Sequence, residues 1–182
     1  VGVVGICVVL ALGGDPATEQ ARYERQALEA GQLWRLLSAH LAHLGWSHLA
    51  LNLAALAFLR SLLGPALDVR QWTFLYVIAA LSIGGGLYLW SPETQWYVGL
   101  SGVLHAVAIV AGASLWGRDT GLGAALLIGV SAKLAWEQAL GPSSWSLVAS
   151  GGPVVVDSHL YGALAGLASL PALRWLRRPG QL

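Results

Sequence analysis

Several polar residues interrupt the long apolar stretches of this sequence, and Ser101 is the one best suited to act as a nucleophile. It lies in the motif Gly99-Leu100-Ser101-Gly102, where the flanking glycines leave its hydroxyl uncrowded. At the start of a helix, the free backbone N–H groups beside such a serine can face an oxyanion. Taken alone, the motif is more typical of ordinary small-residue packing between membrane helices. Ser101 is therefore a candidate nucleophile that needs a base.

A candidate base is His159, which precedes the pattern Gly162-x-x-x-Gly166. Two glycines at this spacing form a close-packing face on a membrane helix, and His159 lies one turn above Gly162 on that face. If the partner helix carries Ser101, the imidazole can reach the hydroxyl and accept its proton. The alternative is a histidine that is simply hydrogen-bonded at a helix end.

His48 and Asn52 are spaced i and i+4, so they share one helical face. An imidazole N–H and an amide NH2 near a nucleophile are suitable donors to an oxyanion. The alternative is a polar pair that joins two helices. His43 either belongs to the same site or lies at the membrane interface.

Lys133 and Glu137 are also spaced i and i+4, in another apolar stretch. A structural ion pair that neutralises both charges at membrane depth is the favoured interpretation over a catalytic pair. The sequence has one cysteine, Cys7, and no Cys/His metal spacing or phosphate-binding loop, so we expect no disulfide, metal or cofactor.

The composition indicates a membrane protein. Hydrophobic residues make up 56% of the 182 residues and charged residues 10%, whereas a soluble domain carries roughly a quarter charged residues. Lipid offers the backbone no hydrogen-bond partner, and the uncharged runs are too long for barrel strands. The fold class is therefore predicted to be all-α, a polytopic helical bundle in the lipid bilayer. The net charge of +1, without a basic patch, gives no indication of nucleic-acid binding.

We predict a single domain over residues 1–182 with six spanning helices, at about 1–12, 40–63, 72–90, 98–116, 122–140 and 156–176. The connection at about 13–38 carries mixed charges, and its middle, 18–30, suits a short interfacial helix. Because the chain starts at Val1 within an apolar run, we expect the first helix to be incomplete.

Basic residues predict the orientation of the bundle. Six arginines fall on one side, which should be cytoplasmic together with both termini: Arg60, Arg70, Arg118, Arg174, Arg177 and Arg178. The first connection breaks the pattern with Arg22, Arg25 and Arg35, although four acidic residues accompany them. Ser101 and His159 would then lie near the extracytoplasmic side.

Taken in order, these motifs resemble the pattern of the rhomboid proteases over nearly the whole chain. The pattern comprises Trp34-Arg35, His43, His48-x-x-x-Asn52, Gly99-x-Ser101-Gly102 and His159-x-x-Gly162-x-x-x-Gly166. The resemblance implies a six-helix fold in which Ser101 is the nucleophile and His159 the base. It also implies that His48, Asn52 and the Ser101 backbone amide stabilise the oxyanion. The site would be a Ser-His dyad without an orienting aspartate, and Asp157 is not expected to join it.

One departure from the pattern is His105, at a position where many rhomboids carry a tyrosine that packs on the catalytic histidine. The run Gly-Leu-Ser-Gly-Val-Leu-His resembles the rhombosortase branch, bacterial rhomboids thought to process proteins with a C-terminal Gly-Gly sorting tail. We expect His105 to pack on His159, although it shares a helical face with Ser101 and is the alternative base. Contact with the substrate tail is a further possible role for Lys133 and Glu137.

The resemblance implies an intramembrane serine endopeptidase of the bacterial inner membrane. Its substrates would be membrane-anchored proteins with a small-residue or glycine-containing cleavage region. One alternative is a catalytically inactive relative that binds membrane helices. The other is a small transporter whose proton or ion path uses five residues: His48, His105, His159, Lys133 and Glu137.

Overall fold

The computed structural model describes residues 2–176, and these form an all-helical bundle with one small sheet. Ten α-helices lie within the described residues: α1 (Gly2–Leu12), α2 (Gly14–Ala21), α3 (Arg25–Glu29), α4 (Arg35–Ser38), α5 (Trp46–Leu63), α6 (Val69–Trp90), α7 (Ser101–Leu115), α8 (Thr120–Leu140), α9 (Ser144–Ser150) and α10 (Val156–Trp175). Strand β1 (Tyr23–Glu24) pairs antiparallel with β2 (Trp96–Tyr97). Val1, Arg177 and Arg178, which entered the predictions above, lie outside the described residues.

All six predicted spans contain a helix, but two of them begin later than predicted. Helix α5 starts at Trp46 instead of residue 40, because the segment before it makes long-range contacts that a helix would prevent. The His40 ring donates to the Ala80 carbonyl oxygen at 3.2 Å, and the Ala39 carbonyl oxygen accepts from the Gly99 N–H at 3.0 Å. Helix α7 starts at Ser101 instead of residue 98, since Gly99 has a φ of +123°.

Helix α6 begins three residues earlier than predicted because its N-terminus is capped. The Asp68 carboxylate accepts from the Gln71 N–H at 2.9 Å, and the Gln71 side-chain oxygen accepts from the Asp68 N–H at 2.9 Å. This reciprocal arrangement satisfies two backbone donors that would otherwise lack a partner.

The predicted helix over 18–30 is wrong in its middle, where β1 interrupts it. Arg22 ends α2 with an extended conformation, and Tyr23, whose side chain is buried, pairs with Tyr97. Burial of an aromatic side chain and pairing with β2 favour the strand over continued helix at this point.

Two of the three arginines of the first connection, Arg25 and Arg35, are bound to backbone carbonyl groups, whereas Arg22 pairs with the Glu24 carboxylate. The Arg25 guanidinium donates to the carbonyl oxygens of Leu87 and Ser91 at the end of α6, at 2.7 and 3.0 Å. Arg35 is buried and donates to the carbonyl oxygens of Glu19 and Arg22, both at 2.8 Å. A cation at a helix C-terminus is favourable, so these residues have a structural role at this end of the bundle.

Two helices, α5 and α6, are long and apolar enough to cross a membrane by themselves. Helices α1 and α7 are also apolar, but they have fewer than 18 residues. Six crossings therefore stay a prediction.

Helix α7 is the centre of the bundle, and α10 is its most extensive partner. The contact relies on glycine: a Cβ at Gly162 would overlap the Gly102 carbonyl oxygen, and a Cβ at Gly166 would lie 2.6 Å from the Ala106 carbonyl oxygen. Short connections reverse the chain between α5, α6, α7 and α8. The starts of α5, α7 and α10 and the end of α8 consequently share one end of the bundle.

The glycine contact predicts a specific loss of stability. Gly162→Ala should destabilise the protein by about 1–3 kcal/mol, because the new methyl group forces α7 and α10 apart. Gly129→Ala in α8 is the matched control, since a Cβ there meets nothing within 4 Å. Thermal unfolding in detergent micelles measures both; equal melting temperatures for the two variants would contradict the packing described here.

Candidate active site

The structure brings Ser101 and His159 into hydrogen-bond contact. Ser101 is the first residue of α7, and His159 lies in the first turn of α10. The two helices start at the same end of the bundle, and their glycine contact lets the side chains meet. The His159 Nε2 atom lies 3.0 Å from the Ser101 hydroxyl oxygen. This distance suits transfer of the hydroxyl proton to the imidazole.

The start of α7 leaves a backbone donor beside the nucleophile. The Leu104 N–H is the first of this helix to find an acceptor within it, the Leu100 carbonyl oxygen at 2.9 Å. The Ser101 N–H precedes it and therefore has no acceptor inside the helix. It could serve a developing oxyanion.

His48 lies against Gly99 in the tautomer that an oxyanion donor requires. Its Nδ1 atom accepts from the Leu44 N–H at 3.4 Å, so its Nε2 atom carries the proton. A Cβ at Gly99 would lie 2.9 Å from this Nε2 atom. The approach of His48 to the Ser101 loop therefore requires glycine at this position.

Asn52 and His43 are both buried near His48, but they differ in their relation to the site. The Asn52 amide donates one N–H to the His48 carbonyl oxygen at 3.0 Å, which leaves a second N–H. The His43 ring packs edge-on against the His48 ring, with centroids 5.0 Å apart, and its Nδ1 donates to the Leu41 carbonyl oxygen at 3.2 Å. Asn52 lines the cavity described below. His43 instead contacts the site only through its packing against the His48 ring.

His105 stacks on His159, with ring centroids 4.2 Å apart and planes inclined by 19°. Its Nδ1 donates to the Ser101 carbonyl oxygen at 2.7 Å, one turn earlier in the same helix. Its Nε2 contacts the Lys133 ammonium, so neither ring nitrogen of His105 faces the Ser101 hydroxyl, and the ring is oriented as a packing group.

Glu137 contacts His159, a link that the sequence did not predict. The Glu137 Oε2 atom lies 2.8 Å from His159 Nδ1, and the Oε1 atom accepts from the Lys133 ammonium at 2.7 Å. The predicted ion pair is thus present, but it is not isolated from the serine and histidine. The spacing of a Lys and a Glu at i and i+4 in an apolar helix indicates a polar contact there. The sequence does not show which neighbouring helix the two side chains face.

Asp157 is held elsewhere. Its carboxylate accepts from the Ser91 hydroxyl at 2.5 Å, and the same hydroxyl lies 3.0 Å from the Tyr161 hydroxyl. This cluster ties the start of α10 to the end of α6, as expected for a residue outside the catalytic group.

Three residues of the site, His105, Glu137 and His159, offer donor atoms close enough together to bind a metal ion. The Lys133 ammonium lies among them, 3.2 Å from His105 Nε2 and 3.3 Å from His159 Nδ1 in addition to its bond with Glu137. The position of a cation among these donors is therefore taken by a side chain of the protein itself.

A cavity of about 430 Å³ opens beside the serine and histidine. Polar side chains of the site form part of its wall, called its polar end below: His48, Asn52, Ser101, His105, Lys133 and His159. Apolar side chains of α5, α7, α8 and α9 form most of the remaining wall, among them Leu51, Ala55, Leu59, Ala108, Val130 and Trp145. Such a cavity can hold an apolar peptide segment while it presents a carbonyl group to the polar end.

The arrangement meets the geometric requirements of acyl transfer. The Ser101 hydroxyl contacts the His159 imidazole, and His48 and Asn52, whose N–H groups could serve an oxyanion, line the same cavity. The family comparison concerns the chain as a whole. A family model described as the rhomboid domain matches residues 30–175, which include every residue of the site. No curated protein matches the chain.

The matched region covers most of the chain, and the long apolar helices α5 and α6 lie within it. Rhomboid domains are typically those of intramembrane serine proteases, and the domain match together with two apolar helices indicates an integral membrane protein. From its sequence match, its all-helical fold and its apolar helices, the chain belongs to the rhomboid family.

Proposed function

We propose that this protein is an intramembrane serine endopeptidase in which Ser101 is the nucleophile and His159 the general base. The observation that carries the proposal is the 3.0 Å contact between Ser101 Oγ and His159 Nε2 at the wall of a cavity. His105 orients the base by stacking. We assign the base to His159 because the His105 Nδ1 is bound to the Ser101 carbonyl oxygen and the His105 Nε2 contacts the Lys133 ammonium, so neither nitrogen faces the Ser101 hydroxyl.

In the acylation step, Ser101 Oγ attacks the scissile carbonyl carbon while its proton moves to His159 Nε2. The carbonyl π electrons become the oxyanion, which accepts hydrogen bonds from His48 Nε2–H, the Asn52 amide and the Ser101 backbone N–H. As the C–N bond breaks, His159 returns the proton to the leaving nitrogen. The product is an ester between Ser101 and the acyl part of the substrate.

Deacylation repeats the same transfers with water. His159 takes a proton from water, the hydroxyl oxygen attacks the ester carbon, and Ser101 Oγ leaves with the proton. Water must therefore enter the polar end of the cavity, where His48, Lys133 and His159 lie.

The lining of the cavity favours a membrane-anchored protein as the substrate. Its wall of apolar side chains from α5 and α8 suits a segment that enters laterally from the bilayer, between these two helices. A helix hides its own carbonyl groups, so the segment must unwind before Ser101 can attack. Small or glycine residues at the cleavage region favour that unwinding, because glycine lowers helix stability by about 1 kcal/mol relative to alanine.

The subtype we propose is rhombosortase-like processing of C-terminal Gly-Gly sorting tails in a bacterial inner membrane. The presence of His105 in place of tyrosine supports this subtype, and the His105 ring stacks on His159. Six spans with both termini cytoplasmic complete the proposal. Arg60 and Arg174, in the last turns of α5 and α10, support this orientation because they lie at the end of the bundle opposite Ser101.

Loss of either reacting group should abolish cleavage of a membrane-anchored substrate with a glycine-containing C-terminal tail. We expect Ser101→Ala and His159→Ala to lose activity by several orders of magnitude, because each removes a partner of the proton transfer. His105→Ala should retain part of the activity, since it removes only the stacked ring. Gel-based cleavage in proteoliposomes measures all three variants.

A second substrate in which valine replaces the tail glycines is the matched control for the subtype. Equal cleavage of both substrates would contradict the preference for glycine while leaving the protease mechanism intact. Cleavage that survives Ser101→Ala would contradict the mechanism itself and would favour a transport or helix-binding function for the polar cluster.

The oxyanion donors predict losses in kcat. His48→Phe and Asn52→Leu keep the approximate size of each side chain but remove its N–H donor, so each should lower kcat about 10²–10³-fold. Steady-state kinetics in detergent or liposomes separates kcat from KM. A rise in KM with unchanged kcat would show that these residues bind the ground state of the substrate and not the transition state.

A further inference from the structure

The Glu137 carboxylate is placed on the face of His159 that lies away from the nucleophile. Its Oε2 atom is 2.8 Å from His159 Nδ1, while His159 Nε2 is 3.0 Å from Ser101 Oγ. Three helices therefore contribute one member each to a continuous chain of contacts: α7, α10 and α8. The Glu137 side chain is 3% exposed, so water does not screen this contact.

The contacts at Nδ1 decide which tautomer of His159 is present. Lys133 Nζ lies 3.3 Å from Nδ1 and can only donate a proton, whereas a carboxylate can only accept one. If Lys133 donated to Nδ1, the imidazole proton would be on Nε2, and Nε2 could not accept from Ser101. The shorter contact belongs to Glu137, and it places the proton on Nδ1. The base is then free on the side of the nucleophile.

We propose that Glu137 is a positioning residue for the serine protease reaction, which holds His159 with its proton on Nδ1 and faces the imidazolium that forms during catalysis. Lys133 holds the carboxylate in place from its other oxygen. The inference rests on the proposed function, and it replaces a bare Ser-His pair with a Ser101–His159–Glu137 arrangement.

The charges of the site support this role. Before reaction, Lys133 and Glu137 neutralise each other across 2.7 Å. During reaction the oxyanion adds one negative charge and the imidazolium adds one positive charge, so the group stays neutral as a whole. In a medium of low dielectric, a negative charge beside the imidazolium stabilises that state more than it would in water.

A purely structural ion pair does not require the geometry that is present. Charge neutrality alone needs one contact between Lys133 and Glu137, and the Oε1 atom already makes it. The Oε2 atom is directed at His159 instead. The Lys133 side chain is 44% exposed while the Glu137 side chain is buried, so the carboxylate faces the site and the ammonium faces the cavity.

Kinetics of Glu137 variants tests the proposal. Glu137→Gln keeps the size of the side chain but removes the charge, so we expect kcat to fall about 10²–10⁴-fold with KM unchanged, as for loss of an orienting carboxylate in a serine protease. Glu137→Asp restores the charge on a shorter side chain and should recover part of kcat. A Glu137→Gln variant with wild-type kcat would overturn the proposal, while the loss of activity in Ser101→Ala would still support the proposed function.

A double variant separates positioning from charge neutralisation. Lys133→Gln combined with Glu137→Gln removes both charges, so it should remain as slow as Glu137→Gln if the carboxylate acts on His159. Recovery of kcat in the double variant would show that Glu137 serves only to neutralise Lys133, and would overturn the proposal. Asp157→Asn is the matched control, because it removes a carboxylate two residues from His159 that is bound to Ser91. It should leave kcat close to that of the wild type.

NMR of protein labelled with 15N-histidine reports which nitrogen of His159 carries the proton. It requires no cleavage assay, and the main result comes from the wild-type protein. Wild-type protein in nanodiscs should show a strongly deshielded Nδ1 proton, assigned to His159 by its absence in His159→Ala. That proton should shift in Glu137→Asp, in which the acceptor has moved. An Nε2-protonated His159 in the wild type would overturn the proposal, whatever the outcome of the cleavage experiments.

Discussion

The close backbone contact between α7 and α10 is the constraint on which the site depends. Gly102, Gly162 and Gly166 leave no room for side chains between the two helices. A membrane interior offers little hydrophobic driving force for helix association, so such packing must supply the attraction. The contact fixes the start of each helix relative to the other, and Ser101 and His159 are both within the first turn. Their 3.0 Å separation is therefore set by backbone packing, not by flexible side chains.

A second constraint is the cost of charge in an apolar bundle. Lys133 and Glu137 lie in α8 and contact His159, and each polar atom of the pair has a partner. The same principle applies at the end of the bundle, where Arg25 and Arg35 bind backbone carbonyl oxygens. Polar residues that looked like exceptions in the sequence thus either complete the site or satisfy helix ends. The site thus depends both on these polar contacts and on the close glycine contact between α7 and α10.

Sequence reasoning located the helices well because long apolar runs and glycine spacing depend on local chemistry. It placed the start of α5 six residues too early, since the contacts of His40 and Ala39 are made with distant residues. It also continued a helix through Tyr23, whose partner Tyr97 is far along the chain. Ser101, His159, His48 and Asn52 were predicted as site residues from their types, their spacing and the family resemblance, and the structure brings Ser101 and His159 into contact. The contact between Glu137 and His159 was missed because spacing defines a face of α8 but not the helix opposite that face.

Covalent labelling of the protein in liposomes with a fluorophosphonate, followed by mass spectrometry of the peptides, tests directly whether Ser101 is a nucleophile activated by His159. We expect one adduct, on Ser101, with a labelling rate that falls sharply in His159→Ala because the base has been removed. Labelling of Ser101 at an equal rate without His159 would contradict the activation described here. The absence of any adduct on Ser101 in the wild type would contradict its assignment as the nucleophile.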